Sequence, residues 1–562
     1  MPSTLLLAVD AIALAFVAIL SFWLVRREQS RLPLPPGPPT PKLIGWLIGN
    51  VLDLPKKRQW LAFTGMRKQY GRIVHFRAFN EHTIVLNGLK EANELMHVRG
   101  GLYSGRRQKV MMNELMGQNW GVTPLQYGPD WRIERKLLHE RFHRNAISQY
   151  APIQERYTQD LMTRIKQEPG GFEAHIKRWA ASIVVFIGYG FDLNEDKDDW
   201  YVKTADLNNH YFSLGVQPFM WLVDSVPFLK YLPDWTPGIQ FHKIAKESRA
   251  AAHNIVDIPY ERTRQMMDDR NAVPSFASHL MQTQLNPASV DFDRMEWHIK
   301  GTTAALYRAG QETTTNTLIC AIFAAALCPE AQRKAQAELD NHLIPGRTPC
   351  LSDRTELPFV HAFALEVMRW FPTVPLGIPH MLLSDQDDVY EGYRIPKGAL
   401  IVANAWAILH DEQIYKDPYA FRPERFLDDM DHAPELDPRE AGVFGFGRRI
   451  CPGQYLADAS VWLGVANLLS AFEISGAIDT DGKAIDMRSA LCGASQLVTY
   501  VSIYFIPLEG LVHIIRVSLA DGRVRSNARS DNGNDAHGAS CPQVLYRHRS
   551  YKTHSTVDGL KL

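Results

Sequence analysis

Apolar side chains recur three and four residues apart along Trp131–Phe142 and Asp293–Leu327, the spacing of one helical face, so this pattern predicts long helices through the middle of the chain. Elsewhere the runs are short. Ile73–Phe76 and Thr83–Leu86 flank Asn80-Glu81, while Tyr393–Ile395 and Leu400–Ala403 flank Pro396-Lys397-Gly398, as strands around turns should. A third pattern is continuous: residues 5–25 are apolar except for Asp10, about the length a helix needs to cross a bilayer. No Lys or Arg precedes this run and Arg26, Arg27 and Arg31 follow it, so it is expected to be a retained anchor that leaves the rest of the chain in the cytosol. A cleaved signal would carry a basic leader and a shorter apolar stretch. The proline-rich residues 32–39 cannot continue that helix and read as a stiff spacer. Residues 498–515 form another apolar run, interrupted by Pro507, Glu509 and His513, which argues against a second span and leaves a misread coding segment or a replacement strand as the alternatives. From Arg523 the chain is polar and is expected to be disordered.

Composition adds limits. Hydrophobic residues make up 46% of the 562, enough for a deep core, and 61 basic against 61 acidic residues leave no field that would recruit nucleic acid. The six cysteines, at 320, 328, 350, 451, 492 and 541, have neither disulfide-framework nor zinc-ribbon spacing, which suits a reducing compartment.

One cysteine stands in an unusual setting: Phe444-Gly445-Phe446-Gly447-Arg448-Arg449-Ile450-Cys451-Pro452-Gly453. Glycines let backbone amides and a flat ligand approach the sulfur, and nearby cations favour the thiolate. A single cysteine cannot complete a zinc or iron–sulfur site, whereas haem iron takes one protein ligand on a given side. The bland alternative is a structural cysteine beside a glycine turn. The ten-residue string resembles the haem-binding signature of the cytochrome P-450 superfamily, the haem-thiolate monooxygenases, and further elements resemble the same family over about residues 31–495, most closely its fungal microsomal members. The resemblance implies a mainly α fold with small β-sheets (α+β), the cytochrome P-450 fold with an N-terminal transmembrane helix. It also implies haem b with Cys451 as axial ligand, Phe444 in the same cofactor-binding loop, and Arg449 on a propionate. The expected organisation is an anchor at 5–25, a proline-rich hinge at 31–45, a catalytic domain at 46–505 and an atypical tail at 506–562.

Within the long predicted helix, Ala309-Gly310-Gln311-Glu312-Thr313-Thr314 places an acid and a hydroxyl side by side. Thr313 can be satisfied by its own helix. The resemblance instead implies an oxygen-activation site in which Thr313 holds a water and Glu312 relays protons. Arg308, just before it, reads either as a solvent-channel or as a salt-bridge residue. Glu366 and Arg369 share a helix face, and by the resemblance they join Arg425 in a buried triad that shapes the chain beneath the haem. Trp131 and Arg135, one turn apart, match the family's further propionate contacts, and His380 occupies another such position, where arginine is the stronger signal.

Partners follow from the same likeness. The basic helix carrying Arg132, Arg135, Lys136, Arg141 and Arg144 is either a solvated face or a docking surface for an acidic NADPH–cytochrome reductase, with a small b-type cytochrome as a further donor. No nucleotide-binding glycine motif occurs in the chain. Substrate contacts are expected from Met111–Thr123, from Ala305 and Ala309, and from Thr373–Leu376, a mostly apolar set that suits a lipophilic secondary metabolite or xenobiotic, such as a terpenoid, steroid, polyketide, polycyclic aromatic or indolic compound. The resulting expectation is a single-pass enzyme of the endoplasmic reticulum membrane. An oxygen-independent haem-thiolate isomerase or dehydratase would not need the Glu312-Thr313 pair, and a non-catalytic haem-binding membrane protein is the alternative that the unusual terminus keeps open.

Overall fold

The computed structural model describes residues 32–476, except 41–47, 51–52, 55–57, 80, 196–198, 217–219, 237–239 and 429–432, together with the strand residues 498–499, 502–503 and 515–519. The expected anchor at 5–25, Cys492, Cys541 and most of the expected tail lie outside these residues. Among the described residues no single helix is long and apolar enough to cross a membrane.

The helices are α1 (Gln59–Tyr70), α2 (Pro129–Phe142), α3 (Ala151–Gln167), α4 (Phe172–Tyr189), α5 (Trp200–Val216), α6 (Phe241–Asp268), α7 (Phe276–Gln284), α8 (Phe292–Leu327), α9 (Pro329–His342), α10 (Pro358–Trp370) and α11 (Gln454–Ala471). The axis of the fold is α8. Between Gly301 and Ala325 it is buried almost all round, as expected of a helix apolar on every side. Small residues let its neighbours approach: a side chain on Gly310 would sit 2.5 Å from Val184 of α4, and one on Gly464 of α11 would sit 2.8 Å from Leu318. Both helices therefore lie close against α8 near its midpoint, where apolar burial and tight packing reinforce each other. The predicted helices thus match α2 and α8, and the fold is mainly helical with small sheets.

The main sheet has the order β1-β2-β6-β3, formed by Ile73–Ala78, Glu81–Leu86, Leu400–Ala403 and His380–Met381. β1 and β2 are antiparallel, with Ile73 opposite Leu86, and β2 runs parallel to β6, with Thr83 opposite Leu400. The turn Pro396-Lys397-Gly398 does not close a hairpin. Instead β5 (Tyr393–Ile395) pairs with β4 (Asp388–Tyr390), because Glu391 at φ 50° and Gly392 at φ 80° give the doubly left-handed turn that suits two twisted strands. The proline-rich segment is partly docked: the His75 amide donates to Pro36 O, the Arg394 amide to Pro33 O and Asn50 Nδ2 to Pro38 O, so residues 33–38 lie along the sheets.

At the carboxyl end β7 (Phe472–Gly476) pairs antiparallel with β10 (Ile515–Leu519), and β8 (Val498–Thr499) pairs with β9 (Ser502–Ile503). Residues 515–519 fall past the expected domain boundary at 505. Their alternation Ile-Arg-Val-Ser-Leu has the two-residue period of a half-buried strand. The opposite edge of β7 meets side chains of α9: Gln332 both donates to Ile474 O and accepts from its amide, and Gln336 donates to Phe472 O.

Candidate active site

The loop before α11 is built around its cysteine. Gly445 at φ 82° and Gly447 at φ 56° occupy left-handed conformations, and a side chain on Gly447 would overlap Met96 O. The Cys451 amide donates to Phe444 O at 2.9 Å, closing the loop, and α11 starts three residues later, bringing a helix N-terminus near the sulfur. Burial pushes the Cys451 thiol up, while the Gly453 amide and the Arg135 guanidinium pull it down. Although it lies deep in the protein, Cys451 keeps part of its surface uncovered. Cys320, Cys328 and Cys350 are also free thiols, and burial raises Cys320 strongly with no cation to oppose it.

Beside this loop lies a group of cations without acids. Arg449 donates to three backbone carbonyls, those of Ser104, Val122 and Leu125, and its guanidinium lies 4.8 Å from the ring centroid of Trp131. Arg135 donates to Ile450 O at 2.6 Å. Arg106 donates to Thr123 O, Ile378 O and Pro379 O. Among the described residues none of the three meets a carboxylate, and the buried Trp131 Nε1 has no acceptor. Burial, with Arg135 nearby, lowers Arg449 to about 9, and burial with Arg449 nearby lowers Arg106 well below its usual value. Uncompensated buried cations are costly, so this socket calls for an anion. His380 belongs to it differently. Its Nδ1 must donate to Tyr103 O at 2.7 Å, and burial, Arg106 and Arg449 hold it neutral, so Nε2 carries no proton for a carboxylate until an anion arrives. Arg106 was not singled out in the sequence. Its only local sign is the pair Arg106-Arg107, because two of its three carbonyl partners lie more than 270 residues away.

The middle of α8 opens on one side. Ala309 is exposed, and Thr313, Asn316 and Cys320 are half-buried at helical spacing, in a stretch otherwise enclosed. Thr313 Oγ1 donates to Ala309 O at 2.9 Å, so the hydroxyl satisfies its own helix while its lone pairs stay available as acceptors. Glu312 is buried with Oε2 unpartnered, and burial, reinforced by the negative charge of Asp206, raises its carboxyl well above the carboxylate range against the pull of Lys177 and Arg308. It is therefore a buried acid whose surroundings favour the protonated form, next to a hydroxyl. Arg308 forms no ion pair among the described residues: it is stacked between Trp120 and Phe212.

The expected triad is present. Arg369 grips Glu366 with two bonds, 2.7 and 2.8 Å, and Arg425 Nε reaches the same carboxylate at 3.1 Å, all three side chains being fully enclosed. Arg425 also pairs with Glu435 at 2.6 Å, a fourth member the sequence reading did not include, so the charges balance as two acids against two bases. The Arg422 amide and the carbonyls of Leu409 and Ala420 join the network, holding Leu409, Ala420 and Arg422 to α10.

A flat dianion with one open metal coordination site fits these residues. Haem offers two carboxylates to the acid-free socket and an iron to Cys451, a partly uncovered cysteine at a helix N-terminus, so fold and site define a haem-thiolate protein. Comparison with known proteins agrees: the Cytochrome P-450 family model matches residues 36–499. The chain is 36% identical over 487 residues to cytochrome P-450 monooxygenase 208 of Postia placenta, covering 86% of this chain and 92% of that one. It is 38% identical over 466 residues to tryptamine 4-monooxygenase of Psilocybe cyanescens, with 82% and 90% covered, and 34% identical over 499 residues to monooxygenase COX1 of Coprinopsis cinerea, with 88% and 94% covered. The chain belongs to the cytochrome P-450 family. It is accordingly an oxidoreductase that incorporates oxygen, and its cofactor is haem b held by a cysteine thiolate.

Proposed function

We propose that Cys451 is the haem ligand and that the enzyme hydroxylates or otherwise oxidises a lipophilic small molecule, a secondary metabolite or xenobiotic, with electrons from an NADPH–cytochrome reductase. The observation that carries the reading is the acid-free cation socket of Arg106, Arg135 and Arg449 beside an uncovered Cys451. When bound, haem supplies the binding and reductive activation of dioxygen. The chain's own residues do the rest. Arg449, Arg106 and the Trp131 indole orient the propionates, with His380 joining once protonated. Glu312 holds a proton at neutral pH, and the Thr313 hydroxyl one residue on passes or positions it at the open face of α8. Ala305 and Ala309 leave room there for substrate.

Membrane attachment with a cytosolic catalytic domain is part of this proposal. Besides the apolar run at 5–25, Leu222, Phe228, Tyr231 and Trp235 are strongly exposed within one short segment, Trp235 at 82%. Reductase docking is assigned to the face bearing the exposed Arg132, Lys136, Arg144 and Arg448. The deciding experiment is the ferrous carbon monoxide difference spectrum. A strongly red-shifted Soret band is expected in the native protein and absent in Cys451→Ser. Haem bound without that band in the native protein would refute the ligand assignment.

A further inference from the structure

Arg308 is 4% exposed, yet its nearest acid, Glu312 one turn along α8, forms no ion pair with it and is itself held neutral by burial. Its guanidinium lies 4.4 Å from the ring centroid of Trp120 and 4.1 Å from that of Phe212, a cation held against two aromatic rings. Among the described residues it makes one long hydrogen bond, 3.4 Å, to Gln118 Oε1. Gln118 is fixed in turn, donating to Ser248 Oγ at 3.3 Å, and Ser248 donates to Met116 O. The loop carrying Trp120 is pressed onto the helix because Gly121, at φ 80°, lies against Ala305 and Gly301. Two further buried donors lack acceptors here: Trp120 Nε1 itself and Asn209 Nδ2, the latter one turn before Phe212 on α5. Burial lowers Arg308 to about 9, so it remains charged at neutral pH.

A preformed cation packed against two aromatic rings, with the unpartnered N–H of one of them beside it, matches a planar two-oxygen anion. We propose that Arg308 binds the carboxylate of the substrate, so that the enzyme's preferred substrates are lipophilic carboxylic acids. Arg308 lies five residues before Thr313, about 7.5 Å along the helix at 1.5 Å per residue and roughly 140° around it, so a substrate held here must reach both along and around α8 to the open face. The inference rests on the reading that the open face of α8 lines the substrate space.

The test uses full-length haem-loaded protein and a matched pair of probes, 4-phenylbutyrate and its methyl ester, with affinity read by equilibrium dialysis and by the Soret shift. The native protein should bind the acid roughly ten- to a hundredfold more tightly than the ester, the range of a charge-assisted hydrogen-bonded contact. Arg308→Gln should bring that ratio to near one, Arg308→Lys should keep part of it, and Trp120→Phe, which retains the stacking ring but not the N–H, should reduce it. Equal binding of acid and ester by the native protein, failure to bind either, or a preference surviving in Arg308→Gln would overturn the proposal. The carbon monoxide spectrum of each preparation keeps the two readings apart: a thiolate band with no acid preference sinks only this inference, and loss of the band sinks the reading beneath it.

Discussion

Glu312 and Thr313 carry opposite risks although they are neighbours. Because burial favours the protonated form of Glu312, Glu312→Gln should shift stability by only about 1 kcal/mol. It removes the transferable proton, however, so turnover should fall by roughly ten- to a hundredfold with haem content unchanged, measured as product formed per haem with reductase. Thr313→Ala should instead leave NADPH consumption largely intact and divert it to peroxide, a ratio read directly by assaying both. In the socket, Arg449→Leu or Arg106→Leu should lower the haem retained after gel filtration, as seen in the pyridine haemochrome spectrum; retention at the native level would mean that these cations serve another anion. Much of this chemistry was legible in the sequence because its parts are contiguous. Residues 444–453 form one loop, and Glu312-Thr313 one turn. Arg106 and the Trp120–Arg308–Phe212 stack were not legible, since a buried arginine looks like any other until the elements around it are packed.

At the level of elements, α2 and α8 are joined by a buried acid and imidazole: Glu134 Oε1 lies 3.3 Å from His298 Nδ1, and Asp130, bound by Arg294, lies 3.3 Å from Nε2. Burial raises Glu134 to about 7 despite His298. Its folded value thus exceeds its unfolded value of 4.5, the native state holds a proton the unfolded chain has released, and this contribution is present below the unfolded value and lost as pH rises from about 4.5 to 7. Urea titrations at pH 5 and pH 7 should show the native protein losing up to about 3 kcal/mol relative to Glu134→Gln over that interval; parallel curves would show that the carboxyl titrates normally. The Glu366 network predicts a larger effect. Glu366→Gln leaves two buried guanidiniums against Glu435 alone, a loss of about 3–5 kcal/mol that should appear as low soluble yield and little bound haem. Helix period foretold α2 and α8 almost to the residue, and the pairing of Glu366 with Arg369 was visible at three-residue spacing. Glu435 was hidden because it is reached through tertiary contact, and β5 was matched with the wrong partner because Pro396-Lys397-Gly398 looked like the stronger turn while Glu391-Gly392 had the required backbone.

For the whole molecule, the carboxyl end of the domain is tied back by β10. A chain ending at residue 523 should therefore melt close to the full-length protein, and one ending at 510 should melt several degrees lower in a haem-absorbance scan; equal melting of both would assign no stabilising role to 515–519. The side-chain amides of Gln332 and Gln336 on the other edge of β7 have a consequence for life in a crowded cell. A strand with vacant amides and carbonyls is an adhesive seam on which a second copy of the chain can begin to stack. Here two glutamines from a helix fill that seam like false strand partners, so the sheet at the end of the domain cannot grow on that side, and exchanging Gln332 for a leucine of similar bulk would turn a sealed border into a nucleus for aggregation.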